Sequence, residues 1–276
     1  MTGTKKHARK MLAKVFTVAL ICLVAAGTMP GVMGASNVNL GSAANFGVLG
    51  ASTVTNAGSS QITGDLGVSP GTAVTGFPPG TVSGTIHAGD TEAANAQADA
   101  LIAYNALRAQ APDTTYAGVT QLNGMTFTPG VYKFEPSANL QVGGTIYLDF
   151  MGDNNAVFIF QTDSTLVMMA NSRVVALNTS SQTCSPNVYW VVGSSATIDS
   201  AEFIGTVIAS SDVTMTSAAN TPPITTVSGR MIALNGAVTM VDSRIAVCGG
   251  TPTPTPTVTP TPTPTVTPTP TPTVTP

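Results

Sequence analysis

The residues most able to do chemistry in this chain are side-chain hydroxyls set out in columns. The segments TLVMM, ATIDS, VTMTS and AVTMV align so that Leu166, Ala196, Val213 and Val238 share one position and Met168, Ile198, Met215 and Met240 another. Between these apolar columns, period-two alternation turns Val167, Thr197, Thr214 and Thr239 the other way. In SDVTMTS (211–217), Asp212, Thr214 and Thr216 face one side while Val213 and Met215 face the other. Such hydroxyls neither attack nor titrate. Fixed on β-branched side chains beside their methyls, they organise water at a rigid surface.

Acid–base and metal chemistry have few residues to work with. Once a leader carrying His7 is removed, His87 is the only histidine, and beside Ala88 and Gly89 it reads as a surface or turn residue. DFMGDNN (149–155) holds acids but not the ligand series of a calcium loop, so it reads as a turn. No phosphate-binding glycine loop occurs. No catalytic residue, metal, cofactor or small-molecule substrate is expected.

The alternating segments require strands, and the strands require a frame that repeats. Successive copies lie 30, 17 and 25 positions apart from Val167 to Thr239, by subtraction. That fits β-solenoid coils with loops of unequal length, each burying its apolar side against the next. A β-sandwich also alternates, but it does not require one outward residue type in successive copies. One helix is expected at about 91–110, capped by Asp90 or Thr91, with Ala94, Ala98, Leu101, Tyr104 and Leu107 as its packing face and Pro112 ending it.

Charged residues are 8% of 276, so Ser, Thr, Asn, Gly and Ala must supply the polar surface. Lys5, Lys6, Arg9, Lys10 and Lys14 precede the apolar run VFTVALICLVAAG, which reads as a signal peptide over 1–34, with the mature chain starting near Ala35 or Ser36. A retained N-terminal anchor is the alternative. Removal leaves five basic residues against thirteen acids, 5 − 13 = −8. That sign disfavours nucleic acid and anionic membrane as partners. Export makes a Cys184–Cys248 disulfide the expected state, stabilising by roughly 3–4 kcal/mol. Two separate buried thiols are the alternative.

Residues 36–249 have the size of one domain. Beyond them the Thr/Pro repeat of 250–276 reads as a polyproline II stalk, a candidate for O-glycosylation and for attachment to a cell surface. Asn178, in NTS, is an N-glycosylation sequon.

The ordered segments ITGDLGVSPGTAVTGFPPG (62–80), TPGVYKF (128–134), NAVFIFQ (155–161), VYWVVGSSATI (188–198) and GRMIALNGAVTM (229–240) resemble the large microbial ice-binding protein family over nearly all of 38–248. The resemblance implies a mainly β fold: a right-handed discontinuous β-solenoid of triangular section with one long α-helix packed alongside. It implies one flat face that meets an ice crystal surface, without catalysis or cofactor; with the leader, the chain reads as a monomer that is secreted or attached at the cell surface. Carried onto this sequence, that face takes in Thr75, Gln141, Thr197, Thr214 and Thr239; the outward grid adds Ser195 and Thr216. A stalked adhesin that binds a sugar or protein is the competing reading.

Overall fold

A computed structural model describes residues 34–180, 187–217 and 224–247. The expected signal peptide lies outside the described residues except for its last position, and so do Cys184, Cys248 and the Thr/Pro stalk. Among the described residues no helix is long and apolar enough to cross a membrane.

After a 3-10 turn (Gly41–Asn45), the chain winds round three faces. β1 (Phe46–Gly50) lies on the first, β2 (Thr53–Ala57) on the second and β3 (Gln61–Thr63) on the third. β4 (Asp65–Val68), β5 (Ala73–Thr75) and β6 (Thr81–Val82) repeat the circuit, and β7 (Ile86–Ala88) returns to the first face. Helix α1 (Thr91–Arg108) follows.

Winding resumes with β8 (Thr114–Ala117), β9 (Thr120–Gln121) and β10 (Thr126–Phe127), then β11 (Gly130–Glu135), β12 (Ala138–Leu140) and β13 (Thr145–Asp149). β14 (Phe158–Thr162) leads into β15 (Leu166–Leu177), which bends from the second face to the third. β16 (Val188–Val192) leads into β17 (Ala196–Ala209), which crosses all three. β18 (Val213–Met215), β19 (Thr226–Ala233), β20 (Val238–Val241) and β21 (Arg244–Ala246) complete the coils.

All the pairings are parallel. On the first face the strands stack in the order β7, β4, β1, β19, β17, β16, β14, β11, β8. The order in space is therefore not the order in sequence. The chain lays down its first coils at one end, travels to the other along α1, and winds back until β19–β21 meet β1–β3. This is a discontinuous β-solenoid with one helix alongside, as the resemblance implies.

The helix covers the first face and decides its composition. Strands buried on both sides lose their alternation, and β1, β14 and β16 are buried at every position. Leu49, Val131, Ile159, Val191, Ile208 and Ile232 point out of the solenoid but are buried with Ala96, Ala100, Ala103 and Leu107 of α1. Asp90 caps α1, its Oδ1 accepting from the Ala93 N–H at 2.9 Å. Side chains then tie it to the ends of successive strands. Gln97 donates to the Ala233 carbonyl at 3.1 Å, Tyr104 to Val192 at 3.4 Å and Arg108 to Thr162 at 2.7 Å.

The buried helix face differs from the expected one. It is Ala93, Ala96, Ala100, Ala103 and Leu107, while Ala94 and Ala98 are exposed and Leu101 and Ile102 keep 48% and 64% of their surface in solvent. Close approach to an aliphatic sheet selects the small side chains and turns the bulky ones outward. Ala100→Leu is accordingly expected to destabilise the fold by about 1–3 kcal/mol through overpacking. Urea denaturation measures this; unchanged stability would mean that the helix packs loosely.

Inside the coils the core carries an aromatic column. Phe160 stacks on Trp190 with centroids 4.1 Å apart, and the Trp190 indole N–H donates to the Ile204 carbonyl at 3.0 Å.

Candidate functional site

With the first face covered, two faces meet solvent, and they differ. On the second, the inward columns pair residue for residue: Leu166 with Ala196, Ala196 with Val213, Val213 with Val238, and likewise Met168, Ile198, Met215 and Met240. All eight side chains are buried. The residues between them form one outward column without a register break: Gln121, Asn139, Val167, Thr197, Thr214, Thr239, Thr55, Thr75.

Five consecutive members are Thr, each on a separate strand, so their backbones stand about 4.8 Å apart and the run extends about 19 Å. Thr197, Thr214 and Thr239 are partly exposed; Thr55 and Thr75 are exposed. Buried neighbours on either side of Thr197, Thr214, Thr239 and Thr55, with the β-branch of each, hold the hydroxyls and methyls in a fixed plane.

The remaining expected site residues fall beside this column. Ser195 precedes it by two positions, in a row with Thr165 and Thr53; Thr216 follows it by two, in a row with Asp199. Gln141 is not the column's member in the β12 layer. Asn139 is, because Ala138 and Leu140 take the inward positions opposite Leu166 and Met168. Gln141 lies beyond the end of β12, two residues along and level with Met169. Thr55 was missed by sequence reasoning. Its signal was present in the Val-Thr pair shared by TVTN, AVTG, DVTM and AVTM. What concealed it was the crossover that sets β2 against β20.

Among the described residues two acids, Asp199 and Asp212, share this face, and no Lys, Arg or Glu joins them. Asp212 is occupied at a corner, where its Oδ1 accepts from the Ala237 N–H of the next coil at 2.8 Å. A Cβ at Gly236 would come within 2.3 Å of that oxygen, so glycine there makes room for the carboxylate. Asp65 holds the Thr85 N–H, Asp113 the Val131 N–H and Asp242 the Ser59 N–H in the same way. Asp212 is therefore a coil-to-coil staple rather than an interruption of the hydroxyl grid. Burial raises the Asp199 carboxyl above its ordinary titration.

The third face is neither flat nor continuous. The β15–β17 register shifts between Met168 and Ser172 and again at Arg173. The gap leaves a cavity of about 260 Å3 beside Val174, Phe203, Ile204 and Thr226. Glu202, its one charged lining residue among those described, is paired to Arg173 at 2.8 Å. Among the described residues no group of three or more His, Cys, Asp or Glu could hold a metal ion. His87 is engaged with the Asp90 carboxylate at 2.8 Å, beside the helix cap.

Comparison with known proteins identifies the family. A family model described as Ice-binding-like matches residues 48–246. The chain is 47% identical over 208 residues to an ice-binding protein of Nostoc sp. (strain HG1), covering 75% of this chain and 73% of that one. It is 33% identical over 211 residues to an ice-binding protein of Flavobacterium frigoris (strain PS1), covering 71% of each. The crystal structure of an ice-binding protein from the Antarctic ascomycete Antarctomyces psychrotrophicus superimposes with a TM-score of 0.70 at 35% identity, over 78% of this chain and all of that one.

Proposed function

Since this chain belongs to the Ice-binding-like family, we propose that it binds ice, and that it does so through the second face, with the unbroken run Thr197, Thr214, Thr239, Thr55 and Thr75 at the centre of contact. That run is the observation that carries the reading. Its hydroxyls join the water lattice at the crystal surface while its methyls restrict other arrangements of that water. Rigid strands lose little conformational entropy on contact. Near-absence of charge removes the hydration shells that would resist it. Adsorbed molecules force the ice front to grow in curves between them, which retards growth and recrystallisation.

We assign this activity to an exported monomer whose stalk spaces the domain from a surface or from other domains. The leader-like sequence of 1–34 supports export. So does the anchoring of Ser36, just past the expected cleavage point, whose N–H and carbonyl both bond the Gln110 side chain, at 2.8 and 2.9 Å.

Thermal hysteresis and recrystallisation inhibition of the purified protein test the proposal: activity at micromolar concentration is expected, and a folded protein without it would contradict the reading. Val167 interrupts the column directly beside Thr197. Val167→Thr extends the run by one strand and is expected to raise hysteresis by about twofold, the scale of a few tenths of a kcal/mol. An unchanged value would place the edge of the footprint at Thr197.

A further inference from the structure

Asp199 has no corner to staple. It stands on the second face two residues beyond Thr197, between Thr216 on the β18 side and the irregular stretch Met169–Asn171 of β15, where Asn171 takes a positive φ of 62°. Its side chain is partly buried, and no hydrogen bond or ion pair engages it among the described residues.

Among the described residues, none of its strand neighbours is ionisable: Met169, Ala170 and Asn171 from β15, Thr214 and Thr216 from β18, Thr197 and Ala201 from its own strand. The ionisable groups nearest along these elements are committed elsewhere, Asp212 to the Ala237 N–H and Glu202 to Arg173 round the corner on the third face.

We infer that Asp199 sets the strength of adsorption at the second face: its carboxylate opposes contact with ice, and its neutral carboxyl admits it. This inference rests on the ice-binding reading of that face. A carboxylate keeps a strongly oriented hydration shell and needs a counter-charge, and among the described residues neither a cation nor a backbone N–H engages it in place of lost water. A neutral carboxyl is one more donor and acceptor in a hydroxyl lattice.

The raised titration of the carboxyl agrees with this environment, and contact with ice removes further water and raises it again. The sign is fixed: the face is more adhesive below the titration of Asp199 and less so above it. The folded state likewise holds this proton more tightly than the unfolded chain, so the group costs stability as pH rises through its titration.

The test is thermal hysteresis of the full chain and of Asp199→Asn from about pH 7 to about pH 3, the range spanning carboxyl titration. Circular dichroism at each pH separates loss of fold from loss of adsorption. The variant is expected to exceed the parent by about twofold at neutral pH and to stay level, while the parent rises to meet it on acidification. Asp199→Ser serves in its place if the Asn variant does not fold. A variant no more active than the parent at neutral pH, or one that keeps the parent's step, overturns the inference. Absence of hysteresis from both proteins at every pH overturns the ice-binding reading itself, and this inference with it.

Discussion

Thr214→Tyr is expected to leave the fold intact and to lower ice-growth inhibition by about tenfold or more, equivalent to at least about 1.4 kcal/mol of adsorption free energy. Thr214 occupies the middle strand of three, between Thr197 and Thr239, and its side chain projects from a strand whose neighbours Val213 and Met215 are buried. A phenol ring there stands proud of the plane, so it lifts the flanking threonines from the crystal surface as well. The loss thus exceeds that of one hydroxyl. Circular dichroism and thermal denaturation verify the fold, and thermal hysteresis reads the effect. Full activity in a folded Thr214→Tyr protein would move the site off the second face.

Thr55→Tyr is expected to produce a loss of the same order, about tenfold, for the same steric reason. Its value lies in where Thr55 sits. It belongs to the first coil of the chain, yet it is paired with Thr239 on one side and Thr75 on the other. If the ice site were confined to the repeats after residue 155, this substitution would cost little. A matching loss shows that two distant parts of the sequence make one surface. Hysteresis retained at the parent level in Thr55→Tyr would confine the footprint to Thr197, Thr214 and Thr239.

Much of this surface was legible in the sequence, and the exceptions have physical causes. The inward columns from Leu166 to Val238 and from Met168 to Met240 are readable because a strand with one buried face must alternate, and stacked coils must place like residues over like. Thr55 escaped because its pairing with Thr239 is made only when the last coils wind back to the first, a long-range contact that local pattern does not record.

Asn139, the column's member in the β12 layer, was not singled out in the sequence, where Gln141 two residues along was named for that layer. In SANLQVGG only the inward fit of Ala138 and Leu140 against Leu166 and Met168 fixes the phase, and that fit is a contact between coils. The helix face was misjudged for a related reason. With alanine at 93, 94, 96, 98, 100 and 103, periodicity cannot say which side lies down. The closeness of the sheet decides it, leaving Leu101 and Ile102 in solvent. Nor does sequence show that Asp212, beside the hydroxyl column, serves the Ala237 N–H of the following coil.

The most direct test of the central claim is to grow ice slowly from a dilute solution of the protein and measure how much enters the crystal. Two variants belong beside the parent: Thr214→Tyr on the second face and Arg244→Tyr on the third, where Arg244 is exposed between Thr226 and Gln61. The account predicts that the parent and Arg244→Tyr concentrate in ice while Thr214→Tyr is left in the liquid. Exclusion of Arg244→Tyr with incorporation of Thr214→Tyr would place ice on the other face, and exclusion of the parent would contradict ice binding altogether.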